Sequence, residues 1–222
     1  MLEIGELGSA VHAKMDDGKV NAMSIPMLAA IREMLAAAAA KQQPVVLEGK
    51  PGLFSAGFDL KTFAQGPGPA LEMLQAGLDT ILDILSHPAP VVTLCTGNAY
   101  PAGAFLMMAS DRAIGVRGEF KLGMNETQIG LVLPSYAVVL ATSRLSPSGR
   151  KAIGTGMMFD PEEALRVGYL DKLVDPSELD TERAALPAFF DSMKLPAFAG
   201  NKAQVNAELI AALKATELPK LG

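Results

Sequence analysis

Apolar and polar residues alternate along Leu2–Leu7 and again along Val11–Met15, which is the period-two signature of half-buried strands. Gly8-Ser9 joins them, and Asp16-Asp17-Gly18-Lys19 reads as a turn. Ser24 followed by Pro26 marks a helix start, and the helix is expected to run through the alanines at 36–40. Pro44–Glu48 is a short apolar run of the kind found in buried strands, followed by a glycine-containing loop from Gly49 to Asp59. Leu71, Leu74, Leu78, Ile81, Leu82 and Leu85 fall on one helical stripe, predicting a helix from about Pro69 to Leu85. The second half repeats this logic. Pro90–Cys95 reads as a buried strand and leads into Thr96–Gly103; a short apolar helix over Ala104–Ala109 and a strand over Arg112–Val116 follow. Beyond Pro134 the pattern is mostly helical, with an apolar stretch at Tyr169–Val174 and outer helices over 176–215. Two buried strands, each followed by a glycine-containing loop and then a helix, predict a layered α/β core.

Bulk properties narrow the function classes. The chain has 222 residues, half of them hydrophobic, which suits one compact core. Its net charge is −5, it has no Trp, and no basic stripe is visible, so nucleic acid is not an expected partner. No apolar run has membrane-spanning length, and no secretory signal is visible at the N-terminus. Cys95 is the single cysteine, which excludes an internal disulfide and fits a reducing, cytoplasmic setting. With His12 and His87 as the only histidines, no metal site is expected. The twelve methionines read first as flexible core filling.

Three segments carry candidate chemistry. In Phe54-Ser55-Ala56-Gly57-Phe58-Asp59, glycine lets the backbone aim N–H groups at an anion, although on the motif alone a plain tight turn is the slightly favoured reading. Pro101-Ala102-Gly103 opens a helix, where the first N–H groups are unpaired and partly positive. One N–H from each segment, converging on a carbonyl oxygen, would make an oxyanion hole. In Gly123-Met124-Asn125-Glu126-Thr127 the glutamate precedes an apolar stretch. Partial burial would raise its pKa and suit it as a base, whereas by itself it reads more readily as a capping or surface residue.

The strings FSAGFDL, TGNAYPAGAFLMMASDRAIG and FKLGMNETQIGLVLP, in this order, resemble the crotonase (enoyl-CoA hydratase/isomerase) superfamily over roughly residues 2–175. Pro101–Gly103 and Gly123–Thr127 are most similar to the monofunctional 3,2-trans-enoyl-CoA isomerases. The resemblance implies a crotonase-like (ClpP/crotonase) α/β fold of repeated ββα units, with a core over 1–175 and a helical C-terminal region over 176–222 making oligomer contacts. It implies an acyl-CoA substrate, no cofactor beyond that coenzyme A, and a homotrimer or dimer of trimers. It places the oxyanion-hole N–H groups at Phe58 and Ala102, with Gly103 as the alternative second donor. Glu126 becomes the catalytic base, and Ser55, Ala56, Gly57, Asn125 and Leu133 become substrate-binding.

One departure decides between reactions. The hydratases it resembles use two glutamates, and the first belongs where this chain has Phe105. One carboxylate suffices to move a proton from C2 to C4, so isomerisation is favoured over hydration. Thioester hydrolysis and non-catalytic acyl-CoA binding remain as alternatives.

Other residues have structural readings. His12 belongs to a strand, His87 to an exposed turn, and Cys95 to the core; Asp59 caps a helix. Asp111 and Arg112 suggest an internal ion pair, and Gly66–Pro69 a mobile surface hinge. Lys61 and Lys202 are candidate contacts for the coenzyme A phosphates, and Met73, Met107, Met124, Leu133 and Tyr136 are expected to set pocket size.

Overall fold

The computed structural model describes residues 2–220; Met1, Leu221 and Gly222, at the ends of the two expected regions, lie outside the described residues. Two sheets organise the chain. The larger has six strands in the order β1-β2-β3-β5-β7-β10: β1 (Leu2–Leu7), β2 (Ala10–Met15), β3 (Val45–Glu48), β5 (Val91–Cys95), β7 (Arg112–Val116) and β10 (Lys172–Val174). Only β1–β2 is antiparallel, as its tight Gly8-Ser9 turn requires. The other pairings are parallel, with Val45 opposite Val91 and Val92 opposite Arg112. Every residue of β3 and β5 is buried, and their sequences, VVLE and VVTLC, do not alternate as those of half-exposed strands do.

The smaller sheet has the order β4-β6-β8-β9: β4 (Gly52–Ser55), β6 (Gly97–Ala99), β8 (Leu122–Gly123) and β9 (Met158–Phe159). β4 lies within the expected 49–59 loop. Three times the chain places one strand in the large sheet and the next in the small one: β3 then β4, β5 then β6, β7 then β8. A helical segment follows each pair. These are α2 (Leu60–Phe63) and α3 (Pro67–Ser86), α4 (Pro101–Ala109), and a 3-10 turn (Glu126–Ile129) before α5 (Ser135–Arg144). The repeated ββα architecture is thus present, and it delivers each small-sheet strand to the start of a helix.

Local signals explain the helix boundaries. Ser24 Oγ accepts from the Met27 N–H at 3.4 Å and opens α1 (Ile25–Ala40), with Pro26 in its first turn. Asp59 caps α2, accepting from the Lys61 N–H at 3.1 Å. α3 begins at Pro67, so Gly66–Pro69 is not a hinge. Gly66, at φ 108°, turns the chain, and Pro67 occupies the first helical position. α4 is buried along its whole length, which is why its sequence is apolar all round.

α6 (Pro147–Ile153), α7 (Pro161–Val167) and α8 (Leu179–Asp191) cover the outside, and α9 (Leu195–Lys214) packs on α3 and α5 of the same chain. Three expectations fail here. His87 is buried, at 3% exposure, with Nδ1 2.9 Å from the Ala89 carbonyl. Asp111 and Arg112 do not pair. Neighbours entering a strand point to opposite faces, so Asp111 accepts from Lys202 Nζ at 2.6 Å while Arg112 lies 5.1 Å over the Phe189 ring. Lys202 is therefore a buried ion-pair partner, not a phosphate contact. His12 is structural as expected: its Nε2 is 2.7 Å from Glu48, which also takes both forks of Arg183. Among the described residues no helix is long and apolar enough to cross a membrane.

Candidate functional site

The segment after β4 spends its N–H groups one by one. Ala56 N–H donates to the Val20 carbonyl at 3.0 Å, and Gly57 N–H to Ser55 Oγ at 3.1 Å. Ser55 Oγ itself donates to the Asn21 carbonyl at 2.7 Å. Phe58 N–H donates to no acceptor among the described residues. Gly57, at φ 90°, makes this turn possible, and a Cβ there would sit 3.4 Å from Pro101 Cδ. The first loop therefore abuts the start of α4.

On that second side, Pro101 has no N–H, and the Ala104 N–H closes the first helical hydrogen bond onto the Tyr100 carbonyl at 3.0 Å. The N–H groups of Ala102 and Gly103 are left without an intrahelical acceptor at the positive end of the helix. Gly103 has a packing reason as well, since a Cβ there would lie 2.8 Å from Ser55 Cβ.

A cavity of about 560 Å³ opens beside these two segments. Ala56, Gly57, Phe58, Tyr100 and Pro101 form one wall, and Asn125 and Glu126 form another. Leu60, Phe63, Ile129, Leu131 and Val132 line it too, as do Pro219 and Lys220 beyond α9. Glu126 is the one carboxylate in this lining among the described residues. It starts the 3-10 turn, is 7% exposed, and its Oε2 has no hydrogen-bond partner. Burial pushes its carboxyl up to about 7. An unpaired carboxyl that titrates near neutrality and borders a cavity has the properties of a proton-transfer group.

Most predicted site residues come together here: Ala56, Gly57, Phe58, Asn125 and Glu126 line the cavity, and Ala102 and Gly103 follow its Pro101 wall. Two do not. Ser55 is fully buried and braces the loop from behind. Leu133 is half-buried and packs against the core, while Val132 next to it is 87% exposed. Met73, Met107, Met124 and Tyr136 are core residues and do not line the cavity. Lys61 is exposed on α2, next to the lining residue Leu60. Phe105 is buried, with its ring edge-on to Phe58 at 6.2 Å and to Tyr136 at 6.3 Å. Sequence reasoning missed the apolar lining from Leu60, Phe63, Ile129, Leu131 and Val132. The exposed apolar stretch 129–132 was the available signal. It also missed Pro219 and Lys220, for which no local signal exists.

Residues 7–217 match the enoyl-CoA hydratase/isomerase family model. The chain belongs to that family. An enoyl-CoA hydratase/isomerase family protein from Pseudomonas syringae superposes with a TM-score of 0.94 at 32% identity, over 97% of this chain and 94% of that one. A Mycobacterium tuberculosis protein, described both as a probable enoyl-CoA hydratase and as an enoyl-CoA isomerase, is 30% identical. It superposes with a TM-score of 0.91 over 97% of this chain and 92% of its own. The rat mitochondrial enoyl-CoA hydratase domain-containing protein 3 is 29% identical over 187 residues, which is 82% of this chain. The match spans only 62% of the rat protein's length. Within the enoyl-CoA hydratase/isomerase family, then, this member has a crotonase fold, two loops that abut one another beside a cavity and, among the described residues, a single carboxylate in the cavity lining.

Proposed function

We propose that the protein binds an acyl-CoA thioester and moves its double bond from the 3-enoyl to the trans-2-enoyl position, with Glu126 as the only base. The observation that carries this reading is the lone carboxylate: among the described residues Glu126 is the only one lining the cavity, and the family resemblance puts Phe105 where hydratases have their first glutamate. The Glu126 carboxylate takes a proton from C2, and the electron pair moves into a dienolate whose negative charge lies on the thioester oxygen. The N–H groups of Phe58 and Ala102 hold that oxygen, Gly103 being the alternative to Ala102. Such a donor is worth roughly 3 kcal/mol to the transition state. Protonated Glu126 then returns the same proton to C4, restoring the carboxylate. Asn125 lines the acyl site. This chemistry calls for no metal or redox group, since coenzyme A arrives with the substrate.

The hydratase in the rat relative's name keeps hydration as the rival reading. Adding water needs one group to activate it and a proton delivered to C2, and Glu126 alone serves both roles poorly. Glu126→Gln, assayed on 3-enoyl-CoA and on trans-2-enoyl-CoA, separates the readings. Isomerisation is expected to fall by roughly 10²–10⁴-fold, with binding of a saturated acyl-CoA retained. Rapid formation of 3-hydroxyacyl-CoA by the unaltered protein, without migration of the double bond, would make it a hydratase. Free coenzyme A as the product would make it a thioesterase. Binding without turnover of either substrate would leave a non-catalytic binder.

A further inference from the structure

We infer that the acyl chain beyond C4 leaves the site outward, over Leu60, Phe63, Ile129, Leu131 and Val132, so that the substrates are medium- and long-chain enoyl thioesters. This rests on the reading that a thioester carbonyl sits between the two loops. Inward, there is no room. Phe58, Phe105 and Tyr136 stack edge to face behind the first loop. A Cβ on Gly77 of α3 would already lie 2.7 Å from the Phe58 ring. The void that remains behind Phe58 and Ala102 has about 10 Å³, space for roughly one water at most. A chain directed that way would have to displace a packed core.

The outward route is open and apolar. Among the described residues ten large apolar side chains are exposed, and four of them line this one cavity. They are Leu60 at 59% exposure, Ile129 at 49%, Leu131 at 37% and Val132 at 87%. Scattered exposed apolar residues are ordinary, but a cluster continuous with a cavity marks a surface that something covers. Its continuity with the Glu126 cavity selects the occupant: an extended hydrocarbon whose thioester is held in the same cavity. Covering these side chains takes apolar surface out of water on both partners, so each added methylene contributes until the chain passes Val132.

The test uses saturated acyl-CoAs, which cannot isomerise, so it does not depend on the reaction. Dissociation constants for butanoyl-, hexanoyl-, octanoyl- and decanoyl-CoA are measured by calorimetry on the full chain. A fully buried methylene is worth about fourfold in affinity. With one side of this route facing solvent, about twofold per methylene is expected, or on the order of 50-fold from butanoyl to decanoyl. Val132→Asp, at a site too exposed to threaten folding, is expected to collapse that ratio to under about fivefold, and Ile129→Ser to reduce it. A flat series in the unaltered protein overturns the inference, and so does a steep series that Val132→Asp leaves steep. Sedimentation showing that the patch is buried between copies, with Val132→Asp releasing monomers that keep the steep series, overturns it too. If no acyl-CoA of any length binds, the thioester reading itself falls. If the steep series is found but no double bond moves, only the isomerase reading falls.

Discussion

Glu126 shows how one side chain couples stability to chemistry. Its carboxyl is pushed from the usual 4.5 up to about 7 because burial disfavours the charged form. The folded state thus holds a proton that the unfolded chain releases. The sign follows: relative stability from this group is fully present below pH 4.5 and is lost as the pH rises through 7. The full loss is on the order of 3 kcal/mol. Glu126→Gln, which cannot ionise, is therefore expected to melt at nearly the same temperature as the unaltered protein at pH 4.5 and several degrees higher at pH 8. A gap in Tm of equal size at both pH values would show that burial of the charge is not what strains the site. Activity has the opposite slope, since the base must be ionised, and kcat is expected to fall as the pH drops below about 7. The sequence shows a carboxylate preceding an apolar stretch, but that pattern alone reads more readily as a capping or surface residue, and the base role comes from the family resemblance. That Ser55 and Leu133 do not line the cavity has a different cause, because which way each side chain points depends on contacts with residues distant in the chain.

At the scale of elements, α1, α3, β3 and β5 were readable because each carries its own period or its own apolar run. The small sheet was not. β8 and β9 have two residues each and β6 three, and strands that short exist only through partners far along the chain. Yet this sheet sets the two loops against each other. α3 adds a constraint that helix propensity hides. Gly77 lies mid-helix, where replacement by alanine ordinarily gains about 0.5–1 kcal/mol. Here a Cβ would meet Phe58 Cζ at 2.7 Å and Cε1 at 2.9 Å, and overpacking of that kind costs roughly 1–3 kcal/mol. Gly77→Ala is expected to lower Tm and, by shifting the loop that bears the Phe58 N–H, to lower kcat more than it raises KM. Phe58→Leu keeps the main-chain donor and removes the ring tip. The Gly77→Ala, Phe58→Leu double variant should then recover much of the kcat lost in Gly77→Ala alone. An additive loss in the double variant would mean that the ring does not transmit the effect.

Across the whole molecule, the cavity is bordered by the segment that follows α9, a helix held to the core by an ion pair. α9 is locked to the core by Lys202 on Asp111 and by Asn206, which donates to the Leu85 carbonyl at 3.0 Å and accepts from Arg144 at 2.9 Å. The chain beyond α9 then brings Pro219 and Lys220 to the cavity wall. None of this was legible in the sequence, because Lys202 and Asp111 are 91 residues apart and a lone lysine in an amphipathic helix looks solvated. Lys202 is 7% exposed whereas Asp111 is an exposed residue, so it is removal of Asp111 that leaves a buried charge, the Lys202 ammonium, without its partner. Breaking one side of such a pair costs about 3–5 kcal/mol. Asp111→Asn is expected to approach that loss in chemical denaturation, and Asp111→Asn with Lys202→Met to lose less than the two single changes added together. If α9 also positions the cavity wall, Lys202→Met should weaken acyl-CoA binding severalfold at a temperature where it is still fully folded. Hydrogen exchange should show faster opening of α9 under the same conditions. Faster exchange with unchanged affinity would separate the two roles, leaving α9 as a stabilising element and Lys220 as a bystander at the cavity.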